Sequence, residues 1–216
     1  MSNFSNDVDL AKYEPEVFQS LWFPGQTLCR GVDGVIANGV LSSAGTSFTT
    51  CGVQSGHVVV LTYGSDLDGC YEVVSVESTH ELRLSLVRGA SDDPVVSPPA
   101  GTAVGFRIST FDPQAQEAAH SLLQYFGLTG AGEESPEDAV LDPRAMRAAS
   151  VFAVLTAVFA ARATDPDDVS GYWAKTQYYQ HMLEAVRPRI RTAMDRNGDG
   201  IGDDVLTGAG VRLRRF

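Results

Sequence analysis

The sequence predicts an α+β protein: a helical layer of about three main helices, with a small antiparallel β-barrel inserted ahead of it. Three observations carry this. Residues 26–110 hold short β-branched runs and apolar–polar alternation, separated by turn residues. Residues 112–195 hold three segments with apolar side chains at helical spacing, two of them opened by Asp-Pro. Apolar residues make up 44 % of the 216, enough to build a core. The chain divides accordingly into four parts: an N-terminal helical lead, 1–25, packing on the helical domain; a β-barrel, 26–110; a helical domain, 111–195; and an acidic loop with an extended basic tail, 196–216.

In the lead, Leu10, Tyr13, Val17 and Leu21 form a helical stripe that should face the helices, with Pro15 shortening any helix. Pro24-Gly25 ends it. Strands are expected over 57–63, 70–76 and 81–87, where Leu82, Leu84 and Leu86 alternate with Arg83 and Ser85. Another is expected where Thr102, Val104, Phe106 and Ile108 alternate. Residues 89–101, rich in proline and aspartate, read as a protruding loop. The first helix runs from Asp112-Pro113 to about Gly127 and the second from Asp142-Pro143 to about Ala163. The third spans about 172–194, with a bend at Pro188, which lacks the N–H that would bond Glu184.

The strongest local motif follows that helix. Asp195, Asn197, Asp199 and Asp203 place side-chain oxygens at positions 1, 3, 5 and 9 of a loop whose sixth residue is Gly200. That spacing wraps a Ca2+ ion, with Ile201 supplying a carbonyl. Position 12 is Leu206, where a bidentate Glu belongs. The alternative is a solvated turn at a helix exit.

Elsewhere, motifs for chemistry are missing. There is no GxSxG elbow, no GxxxxGK[ST] loop and no HExxH or paired CxxC. The expectation is a protein without catalysis. His57, His80, His120 and His181 are scattered and read as packed or solvated side chains. Cys29, Cys51 and Cys70 read as small strand or core residues. A formal charge of −11 argues against nucleic acid as a partner of the whole surface. Residues 1–15 are acidic and show no secretory h-region, and the most apolar run, 148–163, is too short to span a bilayer. A soluble, cytosolic chain is expected.

Two features point to partners. Seven of the 16 basic residues fall in the last thirty. Helix-end arginines complement the macrodipole, but Val211, Arg212, Leu213, Arg214, Arg215 and Phe216 lie beyond any helix. Their alternation suits a strand added to another chain's sheet edge. The run 148–163 is apolar nearly all round, so neighbouring subunits are expected to help cover it.

The ordered series of segments resembles a known family. The stretch FTTCGVQSGHVVVL, 48–61, then GCYEVVSVESTHELRLSL, 69–86, is similar to a small barrel unit of tailed-bacteriophage virion proteins, with His57 where Asp is common. The ending DRNGDGIGDD, 195–204, followed by GVRLRR, resembles head–tail connector proteins, the adaptor or neck components. The resemblance implies a homo-oligomeric ring, usually twelve-fold, under the portal protein, with C-terminal segments reaching the next neck or tail component. It implies a place in the virion neck after assembly in the host cytoplasm, with no membrane and no catalytic residue. DNA would pass through the lumen without specific binding, and an acidic wall suits that passage because it does not grip phosphates. The competing reading is a calcium-dependent binding module whose barrel recognises a polymer or host surface.

Overall fold

The computed structural model describes residues 3–64, 67–128, 140–163, 171–195, 200–202 and 204–208. They form two compact units: Asn6–Phe111, and residues 3–5 together with the described residues from Asp112 onward.

The first unit is a closed antiparallel barrel. Its strands are β1 (Thr27–Ala37), β2 (Val40–Ser42), β3 (Val58–Thr62), β4 (Gly69–Ser78), β5 (Glu81–Leu86) and β6 (Gly101–Ser109). Around the barrel they run β1-β2-β5-β4-β3-β6. Closure removes the sheet edges that an open sheet of this size would expose. Inward positions of every strand converge on one core that includes Ile36, Leu41, Val59, Leu61, Val73, Leu84 and Ile108, with Phe48 and Phe106 tilted against each other at 5.7 Å. Asn38 and Gly39 both adopt positive φ, 51° and 77°, and turn β1 into β2. This pair of conformations matches the right-handed twist of a hairpin.

Two short helices precede β1: α1 (Asp7–Ala11) and α2 (Glu16–Gln19). Asn6 caps α1 by accepting from the Asp9 N–H at 2.9 Å. The lead belongs to the barrel unit, which differs from the expected packing on the helices. The Val8 N–H bonds the Gly56 carbonyl at 3.2 Å, and the Phe111 N–H bonds Asp7 Oδ1 at 2.8 Å. Phe18 meets Phe111 edge-on at 5.0 Å, and α2 lies on β3 and β4. The stripe of Leu10, Val17 and Leu21 is buried as expected, while Tyr13 is exposed.

The second unit holds α3 (Asp112–Tyr125), α4 (Arg144–Ala160) and α5 (Tyr172–Val186), then β7 (Arg191–Met194) and β8 (Asp204–Thr207), paired antiparallel. Helix α4 packs on both α3 and α5. Phe4, Leu122, Leu123, Met146, Ala149, Ile190 and Met194 share one core. Phe159 stacks on Tyr172 and Tyr179, and the Ser5 and Ser150 hydroxyls meet at 2.7 Å.

Three expectations are corrected. The fold class is not a helical layer with an inserted barrel: a closed six-stranded barrel with its own core dominates the first half, and the helical unit itself ends in a two-stranded sheet. The long β1 and short β2 complete a closed cylinder that the four predicted strands alone do not make. The third helix stops at Val186, well before 194, because Pro188 forces a tight turn over Arg187–Arg189 and the chain leaves extended. Val151, Val154, Leu155 and Phe159 of α4 are fully buried in a single chain, so these four need no neighbouring subunit to cover them, while Ala157 and Ala160 are exposed.

Candidate functional site

The β7–β8 ribbon and the place where the chain leaves it form the site that precedes the basic tail. On β7, Thr192 and Met194 point into the helical core while Arg191 faces solvent. One side of β7 is taken by Val140 and Leu141: Val140 bridges to Met194, and the Leu141 N–H bonds the Ala193 carbonyl at 3.0 Å. The other side is taken by β8, with Arg191 opposite Thr207 and Ala193 opposite Val205. Strand β8 is therefore the outer edge of this sheet among the described residues. Val205, Ile201 and Leu141 are exposed apolar side chains around it, at 60 %, 68 % and 40 %.

The ribbon ends in a fixed point. The Gly208 N–H donates to the Ile190 carbonyl at 3.1 Å, and its carbonyl accepts from the Tyr125 hydroxyl at 2.8 Å. A Cβ on Gly208 would sit 2.0 Å from the Arg187 carbonyl oxygen, so glycine alone permits this approach. Arg187 lies over the Tyr125 ring at 4.3 Å, in cation–π contact. Residues 211–216, named as the partner-binding segment, lie outside the described residues.

Of the predicted calcium ligands, Asn197, Asp199 and Asp203 also lie outside the described residues. Asp195 is buried, and its Oδ2 accepts from the Gly200 N–H at 2.6 Å, joining the first and sixth positions of the loop. Among the described residues no group of three or more His, Cys, Asp or Glu comes together.

The remaining titratable groups act within the fold. His57 is buried and accepts from the Gln54 N–H through Nδ1. His80 Nδ1 meets the Thr46 carbonyl at 2.7 Å, and His120 meets Gln124. Burial, then the neighbouring Cys51, pushes the Cys29 thiol up to about 12, and burial pushes Cys70 up to about 11. Neither is a thiolate nucleophile near neutrality. Glu72 and Arg88 form a buried pair in the barrel wall, with Arg88 Nη2 at 2.7 Å and Nε at 3.1 Å from the carboxylate. The Arg88 Nη1 goes on to bind the Ser91 and Asp93 carbonyls, so this pair ties down the start of the proline-rich loop. Glycine at 208 and tyrosine at 125 were not legible as site residues in the sequence. No spacing links two positions 83 residues apart.

No helix among the described residues is long and apolar enough to cross a membrane. The chain matches no family model, no curated protein and no solved structure.

Proposed function

We propose that the chain is a structural subunit of a tailed-phage neck, an adaptor in a homo-oligomeric ring beneath the portal protein, and that its C-terminal segment attaches the next component. The supporting observation is the tail root. A two-stranded ribbon, with β8 as its outer strand among the described residues, ends at a clamped Gly208, three residues before the alternating basic stretch that starts at Val211. The alternation of the tail suits strand addition, in which main-chain hydrogen bonds supply affinity, and the exposed apolar side chains of Val205 and Ile201 lie beside its root. Arginines 212, 214 and 215 add attraction to an acidic neighbour. The charge of −11 fits a wall past which DNA slides. In this reading the protein resides in the virion neck, binds neither membrane nor specific DNA sequence, and carries out no catalysis.

Deletion of residues 211–216 tests it. The truncated protein keeps Gly208 and its clamp, so its melting temperature is expected to match the full chain. Its incorporation into particles, or its binding to purified portal and neck components, is expected to fall at least about tenfold, the loss of a peptide anchored by strand addition and charge. Incorporation equal to that of the full chain sinks the docking role, and electron micrographs of the full-length protein without rings, alone or on portals, sink the ring.

A further inference from the structure

The barrel carries opposite charges on opposite sides. Strands β1 and β6 set Arg30 directly across from Arg107. Arg30 is exposed and makes no ion pair or side-chain hydrogen bond among the described residues. Arg107 is held in place: Nη2 donates to the Phe18 carbonyl at 2.7 Å and the Gln19 carbonyl at 3.1 Å, and the guanidinium sits 4.3 Å from the centre of the Trp22 ring. Its Nε is buried with no hydrogen-bond partner. Both arginines line an open groove of about 570 Å³, walled by Trp22, Val32, Val60 and Thr62, with Gly31 and Gly105 in its floor. Its described lining residues include no carboxylate, and Asp33 lies next to Gly31 at its margin. Like charges directly opposite on a ladder repel, so this pair favours an anionic guest.

The strand order places β2 and β5 across the cylinder from β3 and β6. There Glu77, at the end of β4, and Glu81, at the start of β5, line a depression of about 320 Å³ with Asn38, Val40 and Ser42. Arg83 lies 3.6 Å from Glu77, and Ser78 donates to Glu81 at 3.1 Å. Two carboxylates against one guanidinium leave this edge acidic.

We infer that the Arg30–Arg107 groove receives the Glu77–Glu81 edge of a second copy of this chain. A guanidinium fork recognises a carboxylate through two parallel hydrogen bonds, and an acidic guest relieves the repulsion between the two arginines. The buried Nε and the Trp22 face give the groove the arginine–aromatic character of an interface centre. Because groove and edge lie on opposite sides of one barrel, the contact is head-to-tail and repeats from copy to copy. Two arginines are too few to hold duplex DNA, whose binding needs several neutralised phosphates. The contact rests on the barrel's own charges; only its closure into a ring rests on the neck reading.

Charge exchange in the full-length protein tests the pairing. Self-association is measured by sedimentation at low and high salt for the unaltered protein, for Arg30→Glu and for the double variant Glu77→Lys, Glu81→Lys. All three sites are on the surface, and matching melting temperatures check that each variant folds. Each variant alone is expected to associate at least about tenfold more weakly, and high salt is expected to weaken the unaltered protein. Mixed one to one, the two variants are expected to recover association, since the lysine edge of one fits the glutamate groove of the other. Three results overturn the inference: variants that associate like the unaltered protein, a mixture that stays apart, or an unaltered protein that remains monomeric at its highest soluble concentration. Short duplex DNA that binds the unaltered protein but not Arg30→Glu also overturns it, in favour of a phosphate groove. Unchanged association in the variants leaves the neck reading intact, because that reading fails only when rings or tail attachment are absent.

Discussion

Arg88 ties the barrel wall to the loop that follows β5. Its side chain and that of Glu72 are 10 % and 8 % exposed, and the guanidinium also collects two loop carbonyls. Truncation as Arg88→Ala leaves a buried carboxylate without its partner, so we expect a loss of about 3 kcal/mol, read by urea denaturation. A loss under about 0.5 kcal/mol would mean that the pair is solvated. Asp33 works by a different route. Its carboxylate accepts the Gly45 N–H at 2.9 Å and the Ser43 hydroxyl at 2.9 and 3.0 Å. These bonds, Gly45 first, hold its pKa below the ordinary 3.8. The depressed direction means its stabilisation is present above that ordinary value and is lost as pH falls through the lowered one. The Gly45 amide resonance is therefore expected to titrate below the ordinary aspartate range, and to stop titrating there in Asp33→Asn. A Gly45 midpoint at or above the ordinary value contradicts the geometry.

At the scale of elements, the Gly208 clamp makes the sharpest prediction. Gly208→Ala drives a Cβ into the backbone of Arg187 and Pro188, which does not yield cheaply. The expected cost is about 2 kcal/mol by overpacking, with the Tyr125 hydroxyl bond lost and tail attachment weakened. An alanine variant with unchanged melting and attachment removes the clamp from the account. The 195–204 loop is checked by melting with Ca2+ and with chelator. A higher melting temperature with Ca2+ is expected if the ion binds only the folded loop, and identical curves leave the Asp195–Gly200 bond as a plain turn.

Legibility followed the same boundaries. Strands β5 and β6 are readable because their inward residues alternate with polar ones, and β3 and β4 because they carry short β-branched runs. Strand β1 is not, since Arg30, Gly31, Asp33 and Gly34 interrupt its apolar pattern and three register shifts fall along it. Asn38-Gly39 was a usable hairpin signal for β1 and β2. The apolar spacing extends the third helix past its true end because Ile190 and Ala193 keep helical spacing with α5 although Pro188 intervenes. The arginine groove was invisible for a simpler reason: Arg30 and Arg107 meet through barrel closure, and nothing local in either strand marks it.

At the scale of the whole molecule, the proposed tail attachment and the proposed barrel contact are tested separately. Attachment through residues 211–216 is expected to weaken as salt rises, because its arginines act through charge, while a main-chain contribution persists. Binding to a neck component measured across an ionic-strength series checks this, and a flat response assigns the attachment to the backbone alone. The ribbon that roots this segment also sets how it responds to pulling. Strand β7 starts at Arg191 and β8 ends at Thr207, and these two residues face each other. Tension between the tail and α5 therefore opens the ribbon from one end, like a zip, with the Gly208–Ile190 bond breaking first. Each bond is met singly, so the ribbon yields gradually. Peeling the four residues of β8 releases about 13 Å of chain at about 3.3 Å each. The chain thus holds a short reserve of slack just before the proposed attachment segment, and in that reading it lets the segment follow a neighbour displaced by a strand's length without letting go.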